Sequence, residues 1–159
     1  MTEPRRSVQS LSPRQTAEIA ARLGPRLSAG DCLLLDGPIG AGKTHFARAL
    51  ICSRMTIPEE VPSPTFTLVQ TYDTPECATW HADLYRLSGS AEIEELGLSD
   101  AFETAVCLVE WPDRLGTLAP DRALTVRFIA DPDHEEMRRI GFYWTAGRWA
   151  DILDGIADD

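Results

Sequence analysis

A chain of 159 residues with 25% charged side chains has the size and composition of one globular domain over residues 1–159, which argues against disorder. No run approaches the ~20 apolar residues of a membrane span, and MTEPRRSVQS lacks the apolar stretch of a secretory signal. The expectation is a cytoplasmic protein with no membrane association. Fifteen basic against 25 acidic residues give a net charge of −10, which disfavours a direct grip on nucleic-acid phosphates.

In chain order, Ser12-Pro13-Arg14-Gln15 reads as a helix start, with serine at the N-cap, proline at the first position and glutamine at the third. Ile19, Ala20, Leu23 and Leu27 continue it as an apolar stripe, and Gly24-Pro25 ends or bends it. Cys32–Asp36 is an apolar run that predicts a buried strand, and 43–54 predicts a helix with Phe46, Ala47, Leu50 and Ile51 on one face. Thr65–Tyr72 and Ala78–Leu84, joined by Asp73-Thr74-Pro75-Glu76, predict an antiparallel hairpin.

A short helix is expected over Ser90–Leu96, stopped by Gly97, and a buried strand over Ala105–Glu110. Ala123–Ile129 and Arg138–Thr145 form a second hairpin pattern, and Arg148–Ile156 a final helix. This order predicts an α/β fold: a P-loop NTPase-like three-layer domain with a mixed central sheet that includes antiparallel hairpins. Cys32, Cys52, Cys77 and Cys107 are spread without a C-x-x-C pair, so neither a zinc site nor a disulfide is expected. Cys32 and Cys107 read as small buried hydrophobes.

The chemistry concentrates in Gly37-Pro-Ile-Gly40-Ala41-Gly42-Lys43-Thr44, which satisfies G-x-x-x-x-G-K-[ST] between a strand and a helix. The glycines let backbone amides face a phosphate, and the helix N-terminus adds its positive end. Lys43 is expected to reach the β- and γ-phosphates and the Thr44 hydroxyl to bind Mg²⁺. Lys43 is also the only lysine in the chain; a slim ammonium cannot be exchanged for a broad guanidinium between phosphates. There is no asparagine, so the guanine-reading N-K-x-D motif is absent and ATP is the expected nucleotide. Asp113-Arg-Leu-Gly116 matches D-x-x-G, but a four-residue match reads as a turn.

Two carboxylates are candidates to face the loop. Glu110 ends the apolar run VCLV and Asp83 ends ATWHAD; one would serve Mg²⁺ and the other orient the attacking water. Alternatively, Glu110 is an acid that merely ends an apolar strand, and Asp83 a capping or salt-bridging aspartate. Ser63 and Thr65, in SPTFT, either sense the γ-phosphate as a switch-like segment or begin a strand. His81 reads as a hydrogen-bonded core histidine, and Trp111-Pro112 as a wall of the site or the close of the sheet.

The ordered set GPIGAGKTHF, SPTFTLVQTY, HADLYRL, ELGLSD and CLVEWPDRLG resembles the TsaE (formerly YjeE) family of small bacterial ATPases over about residues 8–129. That resemblance implies a role in making threonylcarbamoyladenosine at position 37 of tRNAs, with the proteins TsaB and TsaD as partners and tRNA reached only through their complex. It further implies Walker A roles for Lys43 and Thr44, a Walker B-like role for Asp83, and a Mg²⁺ or water role for Glu110. Trp111 would stand beside the nucleotide, with Pro13 and His134 near the adenine and Gly37, Gly40, Ala41, Gly42 and His45 along the phosphates. The chain departs from the family at Pro38, where an acid is common, and at His45, where a small hydroxyl residue is common. Hydrolysis is expected to be slow alone and raised by partners. The alternatives are a small-molecule kinase and a non-hydrolysing, ATP-dependent binding module.

Overall fold

A computed structural model describes residues 3–64 and 67–157. Their strands form one seven-stranded sheet in the order β1-β7-β6-β2-β5-β4-β3, built from Arg6–Ser10 (β1), Cys32–Asp36 (β2), Val69–Asp73 (β3), Ala78–Asp83 (β4), Val106–Glu110 (β5), Leu124–Ala130 (β6) and Arg138–Tyr143 (β7). The four middle strands run parallel, while β1, β3 and β7 add antiparallel pairs. A parallel strand covered on both faces has no solvent side to leave polar. This explains why four of the five residues of β2 and all five of β5 are buried.

One face of the sheet packs against Pro13–Leu23 (α1), Lys43–Arg54 (α2) and Arg148–Ile152 (α5), through Leu23, Phe46, Leu50, Ile51 and Trp149. The other is covered by Ser90–Glu95 (α3), Leu98–Thr104 (α4) and the 3₁₀ segment Pro112–Leu118, through Ile93, Leu98, Phe102 and Leu115. The result is the expected α/β, three-layer arrangement with a mixed sheet. No described helix is long and apolar enough to cross a membrane.

The cap of α1 is built as its residues dictate. The Ser12 hydroxyl accepts from the Gln15 amide at 3.2 Å, and the Gln15 side chain accepts from the Leu11 amide at 2.8 Å, satisfying two helix-end donors that would otherwise lack partners.

Several boundaries differ from the sequence pattern. The first strand, β1, was not expected; it is held at the sheet edge by pairing with β7, a contact with no local signal. The expected strand Thr65–Tyr72 begins only at Val69, because Leu68 takes a left-handed φ of 69°; Thr65 lies outside the described residues. Gly97, expected as a stop, has φ 83° and also starts the unexpected helix α4. The last helix spans Arg148–Ile152 and then relaxes into turns. Asp113 and Gly116 fall in the 3₁₀ segment.

Cys32 and Cys107 sit side by side in β2 and β5, fully buried. Burial pushes the Cys107 thiol up to about 12 and Cys32 well above the usual thiol range, leaving almost no reactive thiolate. Iodoacetamide at mildly alkaline pH should therefore label the half-buried Cys52 and Cys77 and spare Cys32 and Cys107 in the folded protein. Peptide mass spectrometry reads the result, and native labelling of Cys107 as fast as Cys52 would contradict this packing.

Candidate active site

The glycine-rich loop leaves the C-terminal end of β2 and enters α2. Gly37 is needed because a Cβ there would stand 3.0 Å from the Phe128 carbonyl oxygen. Gly42, with φ 102°, occupies a left-handed position that costs other residues strain. No side chain caps the start of α2 at Gly42, so the first amides of that helix are not served by a side-chain acceptor, the arrangement that suits an anion.

Lys43 is buried. Its Nζ donates to the Gly37 carbonyl and, at 3.2 Å, to that of Pro38, and lies 3.9 Å from the centre of the Trp111 ring. Burial lowers its pKa from the ordinary lysine value, while Glu110, Asp36, Asp83 and Asp113 oppose that shift.

Strand order brings the acids to this lysine. Glu110 ends β5 and Asp83 ends β4, and the two are register partners in adjacent parallel strands, so their side chains leave the sheet on the same side. Glu110 is nearly fully buried and is hydrogen-bonded by two side chains. The Thr44 hydroxyl donates to its two oxygens at 2.8 and 3.0 Å. His81 Nε2 is 2.7 Å from Oε2. His81 Nδ1 has no hydrogen-bond partner among the described residues. The core reading of His81 therefore holds for its burial, but the side chain also touches a candidate site carboxylate. Asp83 Oδ1 accepts from the Tyr85 amide at 3.0 Å, which fixes its carboxylate at the strand end.

The alternation Thr79-His81-Asp83 in β4, all buried, places three polar side chains on one face of the strand. That period-two polar pattern is the signal by which His81 could have been read as a site neighbour.

A cleft of about 480 Å³ above the loop is lined by Lys43, Thr44, Asp83, Tyr85, Glu110 and the loop backbone. Trp111, whose φ of 60° is unusual for its type, tilts against Tyr85 at 4.8 Å between ring centroids. Tyr85 lines the cleft, with Trp111 packed against it; Tyr85 was not anticipated. On the other side of Gly40-Ala41-Gly42 lies a second cavity of about 480 Å³ that includes Pro13, His45, Glu135, Glu136 and Arg138. His45 Nε2 reaches the Pro13 carbonyl oxygen at 2.8 Å, tying the two helix starts together. His134 stands at the exposed tip of the β6–β7 hairpin, 3.6 Å from Asp131, and its neighbours Glu135 and Glu136 line this cavity instead. Ser63 is half-buried in the segment after α2, whose residues Val61 and Pro62 line one cavity together with His45 and Arg48.

The donor set near the loop is a hydroxyl and two carboxylates. Hard oxygen ligands of this number suit Mg²⁺, which keeps waters and takes its remaining ligands from phosphates. Among the described residues there is no cluster of three or more His, Cys, Asp or Glu side chains of the kind that cages a metal outright.

Comparison with known proteins agrees with this architecture. The profile of the family described as "Threonylcarbamoyl adenosine biosynthesis protein TsaE" matches residues 10–140. A protein of Rickettsia bellii (strain RML369-C) named tRNA threonylcarbamoyladenosine biosynthesis protein TsaE is 38% identical over 126 residues, covering 77% of this chain and 85% of its own. The protein of that name from Bacillus subtilis (strain 168) is 33% identical over 150 residues, 94% of this chain and 92% of its own. The crystal structure of Bacillus subtilis YdiB superposes with a TM-score of 0.80 at 26% identity, across 98% of this chain and 97% of that one. With the family profile matching residues 10–140 and relatives 33–38% identical over most of both chains, the chain belongs to the TsaE family.

Proposed function

We propose that this chain is a Mg²⁺-dependent ATPase that supports formation of N6-threonylcarbamoyladenosine at position 37 of tRNAs by binding and cycling a TsaB–TsaD transferase complex. The observation that carries the reading is the convergence of Lys43, Thr44, Glu110 and Asp83 around a glycine-rich loop at the ends of three adjacent parallel strands. Family membership supplies the pathway, and the net charge of −10 suits a protein that leaves the grip on tRNA to its partners.

In this reading each side chain changes partners when ATP enters. Lys43 leaves the carbonyls of Gly37 and Pro38 for phosphate oxygens, a stronger acceptor for an ammonium. Thr44 and one of Asp83 and Glu110 would hold Mg²⁺, and the other carboxylate would orient the attacking water. Mg²⁺ held there would neutralise charge on the phosphate oxygens. Trp111 and Tyr85 screen the lysine and the acids from bulk water, which strengthens their electrostatics.

The cleft lining contains no arginine among the described residues. An arginine supplied in trans is worth about 10³–10⁵ in rate, so slow hydrolysis alone and faster turnover in the complex are expected. The small-molecule kinase is the weaker reading: its lid needs an arginine over the phosphates, whereas Arg138 lies on the far side of the loop. The test is reconstitution with TsaB, TsaD and tRNA, reading ATP hydrolysis and the modified nucleoside by mass spectrometry. Hydrolysis should rise in the complex, and modification should continue over repeated turnovers only with this protein. If it associates with neither partner, with or without ATP, or if turnover is the same without it, the reading fails.

A further inference from the structure

The stretch Gly40-Ala41-Gly42 is a thin wall between two cavities, with Lys43, Thr44 and Glu110 lining one and Arg138 the other. Gly40 and Gly42 take φ of 81° and 102°, and a Cβ built at either meets nothing within 4 Å. The space where a side chain would stand is therefore open at both glycines, and glycine gives the backbone more freedom to move than any other residue.

Their order comes from outside the loop. Arg138 donates from Nε to the Ala41 carbonyl at 3.1 Å and from Nη2 to the Gly40 carbonyl at 3.1 Å. Its Nη1 donates to the carbonyls of Met137, at 2.8 Å, and Glu135. A trans peptide is planar with its N–H opposed to its C=O, so a carbonyl held by the guanidinium turns the next amide away from it. The Ala41 amide closes a turn onto the Pro38 carbonyl at 3.1 Å, and the Gly42 amide is directed to the side away from Arg138. The base of this strut is rigid. Arg138 opens β7, paired with Ser10 on one side and Ala130 on the other. Ser10 is itself fully buried and bonded to the Thr16 hydroxyl at 2.7 Å.

We infer that Arg138 is a positioning residue for the phosphate loop: it holds the peptide planes of Gly40–Gly42 in the shape that receives a nucleotide and ties them to the β6–β7 hairpin. Lys43 covers the carbonyls of Gly37 and Pro38 and leaves them when phosphate arrives; Arg138 covers those of Gly40 and Ala41 and stays. The inference rests on the ATP-binding reading and adds to it a residue that touches no phosphate. A planar fork serving several carbonyls at once is a task that lysine performs only in part.

The test compares wild type, Arg138→Met and Arg138→Lys by calorimetric titration with ATP and by amide hydrogen exchange without nucleotide. Arg138→Met should weaken ATP binding about 10-fold or more, and Arg138→Lys by less, as expected for losing several charge-assisted bonds. Exchange should quicken at residues 39–43 and stay unchanged in β2, β5 and the rest of α2. A folded Arg138→Met protein that binds ATP within twofold of wild type overturns the inference. So does faster exchange spread evenly over the sheet, which marks a merely structural role. If wild type itself does not bind ATP, the nucleotide reading is what fails, and exchange at 39–43 still decides whether Arg138 anchors the loop.

Discussion

Glu110→Gln is expected to bind ATP within a few-fold of wild type while its hydrolysis in the TsaB–TsaD complex falls by about 10²–10³, the usual worth of a positioned carboxylate in proton handling. The amide is chosen because it keeps the volume of a residue that is almost completely buried. Its remaining oxygen still accepts from His81 Nε2, and the Thr44 hydroxyl rotates to suit. Glu110→Ala would confuse the result, since it strips an acceptor from both His81 and Thr44, at a cost of about 1–3 kcal/mol for each buried group left unpaired. Calorimetry gives the affinity and phosphate release the rate. Unchanged hydrolysis by a folded Glu110→Gln protein would remove Glu110 from the chemistry and leave Asp83 as the remaining carboxylate.

Lys43→Ala should weaken ATP binding about 100-fold or more, since an ammonium on phosphate oxygens is among the stronger charge-assisted contacts. No other lysine exists in the chain to take its place. Without nucleotide the loss of Lys43 also removes the donor to the Gly37 and Pro38 carbonyls. Circular dichroism and thermal unfolding separate that effect from binding, because α2 and the sheet do not depend on Nζ. ATP affinity within threefold of wild type in a folded Lys43→Ala protein would show that the loop is a turn rather than a phosphate cradle. The same variant, mixed with TsaB and TsaD in the presence of ATP, reports whether nucleotide governs their association.

The loop was legible because its requirements are local. Gly37 and Gly42 are demanded by a close approach and a positive φ, and Lys43 and Thr44 follow in fixed steps along one helix start. The same holds for the Ser12 cap and for the hairpins, whose turns lie within a few residues of the strands they join. The acids were legible only as candidates, since an apolar strand ending in Asp or Glu has the same spelling whether or not it faces a site. The strand order decided between those meanings, placing β5 beside β2 and β4 beside β5 and so setting Glu110 against Thr44 across 66 residues of chain.

The amino-acid sequence by itself determined the α/β class, the glycine loop with its one lysine, the family, and a short roster of acids, all of which rest on spacing within single elements. Tertiary structure alone decided that the N-terminal residues close the sheet as β1, that His81 is bonded to Glu110, that Tyr85 lines the cleft with Trp111 packed against it, and that Arg138 braces the loop from 97 residues away. Those contacts join segments far apart in the chain, and no local periodicity records which of many surfaces a side chain will meet. The glycine-rich loop is therefore legible in its own residues, while its shape depends on strands that carry no trace of it in theirs.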